Sequence, residues 1–409
     1  MRTSARTIVT LACFIVFNLA LAQTTLRYFS FTTGTDHVAA LESLIEAFEA
    51  ENPDISVEYT TAPFDGYFTR LQTDFAAGNP PDVFELNYEN FVTFAARDTL
   101  LGLGEYLDPV EVERTFYPAA LEAFQFEGEQ YGLPITFSTV ALFYNRDLFA
   151  AAGVEYPNDE WTWQDVIDAG KAITDSDQRI WGIYQPVQFW EFYKVAEQAG
   201  GGLGVNPVQV DTPENRQALS YLVDKIHVHD IMPSDAHMSG VSDVDLFVSG
   251  QLGMLVTGIW MFDRFISDAQ FEWDIAVEPG GQQKATHFFS NAAVIADQTA
   301  HPEAAMRWVE FLAADPLTAE TRIAASWELP ALSLEQADIL EGYLAQPVPA
   351  NRAAVFESLR YAVTPPVVEN QPQLQDIINQ ELEAARLGSK TVEQALTDAQ
   401  RRVEALERQ

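Results

Sequence analysis

Cysteine is almost absent: the 409 residues contain one, Cys13, inside an apolar run near the N-terminus. A fold held together by a disulfide framework is thereby excluded, as is a catalytic cysteine. Positive charge is scarce too. There are 23 Lys and Arg against 60 Asp and Glu, with lysine only at Lys171, Lys194, Lys225, Lys284 and Lys390. A chain with a net charge of −37 repels nucleic acid and anionic membrane surfaces, so no nucleic-acid partner is expected. The acids are dispersed rather than blocked, which reads as a solvated acidic surface. The signature motifs of chemistry are missing as well. There is no G-x-S-x-G, Walker A or G-x-G-x-x-G. Gly200-Gly201-Gly202-Leu203-Gly204 lacks the Lys-Ser/Thr of a phosphate loop and reads as a helix stop. Among six histidines only His227 and His229 are close together, and no acid at ligand spacing joins them. No metal and no cofactor are expected.

Long apolar runs are confined to one place. Arg2 and Arg6 precede the run Ile8 to Leu19, and Ala20-Leu21-Ala22 then offers a small-x-small cleavage pattern before Gln23. That arrangement reads as a secretory signal peptide over residues 1–22, and the run is short for a bilayer span. A lipid attachment at Cys13 is the alternative; it would leave the apolar residues after it without a purpose. Cleavage near Ala22 leaves 387 residues and only 21 basic ones, exported to the periplasm or extracytoplasmic space. A chain of that length stabilises itself through a hydrophobic core.

What is present is alternation. Thr25 to Phe29 reads as a strand, and Val38, Leu41, Leu44, Ile45 and Phe48 recur at helical spacing until Asn52-Pro53. Ile55, Val57 and Tyr59 alternate as a second strand. Asp65 is placed to cap a helix with an apolar face of Phe68, Leu71 and Phe75, and Val83 to Leu86 forms a third strand. This β-α-β-α-β order predicts a parallel sheet with helices on both faces. A second alternating region follows Gly153. It has a capping-box pair at Thr162 and Asp165, a strand at 180–184, a helix at 213–228 and a strand at 253–257. Helical patterns close the chain at 302–312, 374–385 and 392–406. No Ser/Gly linker separates the two regions, so they are expected as lobes joined by tight crossovers.

In open sheets of this kind ligands sit beyond the carboxyl ends of the strands. Those ends are Ser30 to Asp36, Thr61 to Asp65 and Leu86 to Glu89. They are rich in hydroxyls, amides and acids, and they include Thr33, Asp36, Phe64 and Asp65. Aromatic residues make up 12% of the chain, and several stand at segment ends: Phe64, Tyr88, Trp190, Trp260 and Trp327. An indole offers a flat apolar face with a polar edge, complementary to the C–H face and hydroxyl rim of a pyranose. Asp, Glu, Asn and Gln can bind the rim. Trp161 and Trp163 begin a helix and read as structural.

Several stretches then occur in a telling order: "GEQYGLP", "LFYNRDLFAAAG", "WTWQDVIDAGKAIT", "LFVSGQLGMLVTGIW" and "LGSKTVEQALTDAQRRVEAL", preceded by "LESLIEAFEAENPDISVEY" and "PPDVFELN". Together they resemble the sugar-binding, maltose-binding-protein-like solute-binding proteins of ABC importers, over nearly the whole mature chain. The resemblance implies a two-lobed α/β fold of the periplasmic-binding-protein type (type II-like). Each lobe would be a mostly parallel sheet flanked by helices, joined by hinge crossovers. The lobes would be 23–134 with 288–330, and 135–287 with 331–409. The crossings would lie at Leu133-Pro134-Ile135, near His287 to Asn291, and near Trp327 to Leu332, with Thr136, Phe137 and Ser138 bordering the cleft.

The resemblance also implies site residues. Trp260 stands at the tryptophan of a Gly-x-Trp segment that stacks on sugar. Glu85, Asn87 and Glu89 follow the "PPDVF" strand, where polar contacts fall. Trp190, with Glu191, matches an aromatic contact in the second lobe, and Ser138 stands where some members carry a hinge acid. The loop from Phe31 to Asp36 lacks the lysine found in maltose-binding protein, so the ligand need not be maltose. The expected function is capture of a mono- or oligosaccharide by a monomer, followed by delivery to a membrane permease. Two alternatives stay open: the same fold binding a polyamine or metal chelate, and a secreted glycosidase using paired carboxylates.

Overall fold

The computed structural model describes residues 23–204, 207–325, 329–333, 337–365, 368 and 370–408. The signal-peptide segment and Trp327 therefore lie outside the described residues. The strands are β1 (Thr24–Ser30), β2 (Ile55–Thr61), β3 (Val83–Asn87), the hairpin β4 (Gln125–Phe126) and β5 (Glu129–Gln130), and β6 (Gly132–Asn145). They continue with β7 (Trp181–Tyr184), β8 (Leu252–Gly258), β9 (Trp273–Ala276), β10 (Thr286–Ile295), β11 (Leu329–Pro330) and β12 (Ala362–Val363).

The expected β-α-β-α-β unit is there. β1 pairs in parallel with both β2 and β3, with the helices Thr35–Glu51 and Phe64–Ala76 as crossovers. The second helix starts one residue before Asp65. Pro63 occupies the N-cap, so Asp65 is the second helical residue and not the cap. Tyr67 and Leu71 supply its buried face, while Phe68 and Phe75 are half-buried. In the second region the capping pair forms as expected: the Asp165 carboxylate accepts from the Thr162 N–H at 2.8 Å and from its hydroxyl at 2.7 Å.

One sheet runs through the molecule in the order β2-β1-β3-β10-β6-β8-β7. Its middle is an antiparallel pair. β6, fourteen residues long and buried throughout, pairs with β10 over Gly132 to Thr139 and then with β8 and β9 over Val140 to Asn145. The change of partners falls between Thr139 and Val140, later in the strand than the Leu133-Pro134-Ile135 segment expected to make the crossing. β10 makes the return crossing. It pairs with β12 at Thr286 and His287 and with β3 from Asn291 onward. Pro134 can donate no ladder hydrogen bond, and the register shifts beside it: Asn291 opposes Thr136, Ala292 opposes Pro134, and Ile135 is left over. Apart from the antiparallel β4–β5 hairpin, the strands that belong to one half only are parallel where they meet (β1–β2, β1–β3, β7–β8).

The two faces of this sheet differ. On one face a single hydrophobic cluster passes from Leu26 and Tyr28 through Phe137, Ala141 and Phe143 to Leu255 and Ile275, covered by Trp308 and Phe311 of the helix Pro302–Ala314. On the other face the apolar packing is split. One cluster gathers Phe29, Tyr67, Phe84, Leu86 and Phe91; the other gathers Val140, Leu142, Tyr144, Phe192, Leu222 and Leu396. No helix among the described residues is long and apolar enough to cross a membrane.

Close backbone approach in the second half depends on glycine. A Cβ on Gly182 of β7 would lie 2.4 Å from the Cα of Gly170 in the helix Trp163–Ile173. Gly182→Ala is expected to cost about 1–3 kcal/mol by forcing that helix off the strand. A thermal melt equal to wild type would show that the helix yields freely.

Candidate functional site

The gap between the two apolar clusters is floored by polar and aromatic side chains of the crossing strands. Alternation along β6 sends Leu133, Ile135 and Phe137 into the shared core, so Phe137 does not border the cleft as expected. Thr136 and Ser138 point the other way. On β10, Phe288 enters the core, while His287 and Phe289 stack on the opposite side with ring centroids 3.3 Å apart. Alternation keeps Asn291 on the same side as Phe289, where its amide donates to the Thr136 hydroxyl at 3.1 Å, and the register shift follows it. Ser138 is 1% exposed, and its hydroxyl has no hydrogen-bond partner among the described residues, the kind of group a ligand or water satisfies.

The first half supplies one wall. Thr33 and Asp36 are exposed in the loop after β1 and in the first turn of the following helix. Phe64 is 50% exposed and stands edge-on to Phe31 at 5.5 Å and to Phe68 at 5.3 Å. Asp65 follows it. At the end of β3, Asn87 donates to the Glu89 carboxylate at 2.5 Å. Glu89 lies in the first turn of the helix Tyr88–Ala95, and its other oxygen is 3.3 Å from His287 Nε2.

The second half supplies the other wall. Trp190 and Trp260 both stand edge-on to Phe289, at 6.4 and 5.2 Å. Both are half-buried. The Gly-x-Trp spacing has a steric cause here: a Cβ on Gly258 would sit 1.9 Å from the Trp260 ring. The indole therefore lies flat on the Gly258 backbone.

Two expected site residues are placed elsewhere. Glu85 is 3% exposed, shares a face with Val83, and accepts the Tyr28 hydroxyl inside the common core. It therefore faces away from the cleft, because β3 alternates and Glu85 falls on the Val83 side. Glu191 is fully buried beside Trp190, turned about 100° from it by the helix. Lys194 Nζ lies 2.8 Å from Glu191 and 2.5 Å from Glu278. Gln185 donates to Glu191 at 2.5 Å, and Gln198 to Glu278 at 2.8 Å. Lys194 and Gln198 anchor the helix Phe189–Gln198 to Glu278 in the segment after β9, and Glu191 is held by Lys194 and Gln185. The residues the sequence did not nominate are Tyr193 and Phe289; Thr136 was expected at the border of the cleft and Asn291 at the return crossing. The adjacency of Phe288 and Phe289 could have indicated the latter, since neighbours on a strand face opposite ways.

A two-walled cleft across a continuous sheet, floored by hydroxyls, an amide and an aromatic, defines a class: a two-lobed ligand-binding protein. Comparison with known proteins agrees. Residues 32–318 match the family described as bacterial extracellular solute-binding protein, and the chain belongs to that family. An ABC substrate-binding protein of Listeria monocytogenes, solved in complex with cycloalternan, is 42% identical, with a TM-score of 0.89 over 94% of this chain and 99% of that one. The GacH receptor of Streptomyces glaucescens, solved unliganded and with acarbose, is 20% identical and shares the fold at a TM-score of 0.82 over 94% and 98%. An arabinooligosaccharide-binding protein of Halalkalibacterium halodurans is 24% identical over 68% of this chain and 65% of its own.

The buried acid makes stability depend on pH. Burial pushes the Glu191 carboxyl up from 4.5 to about 7, against the pull of Lys194. The folded state thus holds a proton between about pH 4.5 and 7 that the unfolded chain releases, and the stability this contributes is lost as pH rises through that window. Glu191→Gln should flatten that part of the melting-temperature profile. An unchanged slope between wild type and variant would show that Glu191 titrates normally.

Proposed function

We propose that this protein captures an oligosaccharide between its lobes, outside the cytoplasm, and delivers it to the permease of an ABC importer. The carrying observation is the make-up of the cleft. Phe289, Trp190 and Trp260 meet over a floor of Thr136, Ser138 and Asn291, with Glu89 and Asn87 at the edge. Aromatic faces and neutral rim-binders suit a sugar. The 42% identical protein bound to cycloalternan supports the same ligand class.

A polyamine would need several carboxylates free to face it. Glu85 and Glu191 would have been among them, and both are committed to buried partners. The proposal extends to Thr33, Asp36, Phe64 and Asp65 as the outer edge of the first wall, to lobes of 23–134 with 288–330 and 135–287 with 331–409, and to a monomer released near Ala22. Binding, not turnover, is the activity. Contacts to both walls stabilise the closed arrangement only by their differential affinity for it.

Tryptophan fluorescence titration against cycloalternan, acarbose, arabinooligosaccharides and simple disaccharides, with product analysis, tests this. A saturable shift with intact sugar is expected, in the micromolar range, near −8 kcal/mol. Trp260→Ala should weaken it at least tenfold, about 1.4 kcal/mol, in a protein that still melts cooperatively. Full affinity in that variant removes Trp260 from the site, and degraded sugar would make the protein an enzyme.

A further inference from the structure

We infer that His287 is a positioning residue of the ligand site: from the crossing strand it holds the Glu89 carboxylate of the first wall and ties it to Tyr193 of the second. This rests on the reading of the cleft as a sugar site and names a residue that acts there without touching sugar.

The geometry is a chain of close polar contacts across the junction. Glu89 is carried by the helix Tyr88–Ala95, His287 by β10, and Tyr193 by the helix Phe189–Gln198. The Tyr193 hydroxyl lies 2.5 Å from His287 Nδ1, and His287 Nε2 lies 3.3 Å from Glu89 Oε1. The imidazole is fully buried and clamped by the Phe289 ring. A carboxylate only accepts hydrogen bonds. Only a neutral ring protonated at Nε2 can turn a donor toward Glu89; its Nδ1 then accepts from the Tyr193 hydroxyl, which otherwise donates to the Val363 carbonyl at 3.2 Å. Glu89 is held at a second point, since Asn87 donates to its Oε2. Each carboxylate oxygen keeps a lone pair for a ligand hydroxyl, so the two clamps fix the acceptor without consuming it.

The groups facing His287 are Glu89, Tyr193, the backbone carbonyl of Trp190, and the more distant Lys194. Burial holds the imidazole below its ordinary range, with the nearby Glu89 carboxylate opposing. If the walls part, the ring is wetted and its value returns toward about 6.5. Protons then favour the parted form, and ligand affinity should fall as pH drops below that value.

The test is calorimetric titration of full mature protein with whichever sugar of the panel wild type binds, from pH 5.5 to 8, for Glu89→Ala, His287→Leu, His287→Gln and the Glu89→Ala/His287→Leu double variant. The expected results are a tenfold or greater loss for His287→Leu, substantial recovery for His287→Gln, which keeps an N–H donor, and a double variant within twofold of Glu89→Ala. The acid-side fall in affinity should vanish in His287→Leu. Wild-type affinity in a folded His287→Leu, losses that multiply in the double variant, or an unaltered pH profile would each overturn the assignment while the sugar reading stands. Wild type binding no sugar would overturn both. If His287→Leu does not fold, Tyr193→Phe reads the same chain with little change in volume: a twofold to fivefold loss with a changed pH profile supports it, and unchanged affinity and profile overturn it.

Discussion

The antiparallel pairing of β6 and β10 is the constraint on which the rest depends. Two strands that each serve both halves of a molecule leave no free linker, and every backbone group in them must be satisfied along the way. β6 meets this by exchanging partners in mid-course, from β10 to β8 and β9. It is buried on both sides at every residue, which is why its sequence is a near-continuous apolar run broken only by Thr136, Ser138 and Thr139. Those hydroxyls fall where the partners change. Within that interruption Thr136 and Ser138 are the functional signal: they mark the stretch of floor that neither half covers, while Thr139 faces the common core opposite Phe288.

The asymmetry between the two faces follows from the same pairing. On the side where the helix Pro302–Ala314 packs, apolar contacts run unbroken, with Trp308 against both Tyr28 and Phe48. On the other side each half keeps its own cluster. Any change in the angle between the halves must open the split face and leave the continuous one as its pivot. Such interfaces are bistable rather than continuously deformable. Contacts that bridge the split face, such as Glu89 to His287, are then the ones whose energy differs between arrangements.

Much of this was legible in the sequence, for identifiable reasons. Periodicity found the parallel β1-β2-β3 unit and the helices at Pro302–Ala314, Gln371–Arg386 and Val392–Glu407, because long amphipathic segments carry their own pattern. Aromatics at segment ends nominated Trp190, Trp260 and Phe64, and the structure places the two tryptophans beside Phe289. Facing was what failed. Glu85 lies in the right strand and on the wrong side of it. Glu191 lies beside a cleft tryptophan yet points into a buried ion cluster with Lys194 and Glu278. In both cases the neighbouring residue was informative and the one next to it was not, since one step along a strand or helix reverses or rotates the side chain. The register shift at Asn291 could not be read at all, because it depends on Pro134 in a strand some 150 residues away in the chain.

The extreme acidity fits this arrangement once exposure is considered. Most of the 60 acids are solvated, whereas the few that are buried are each matched by an inward-facing donor. Lys194 serves two carboxylates at once, and Lys225, fully buried over the Tyr221 ring, is held far below its ordinary value by burial. With so few lysines, two are spent inside the second half. A buried cation without acids, or acids without the cation, would cost several kcal/mol, so Lys194, Glu191 and Glu278 are locked to one another and withdrawn from the ligand. What remains at the cleft floor is neutral apart from Glu89, itself clamped by Asn87 and His287. A floor of hydroxyls, amides and rings with one oriented carboxylate suits a neutral, hydroxyl-rich ligand despite the charge of the whole chain.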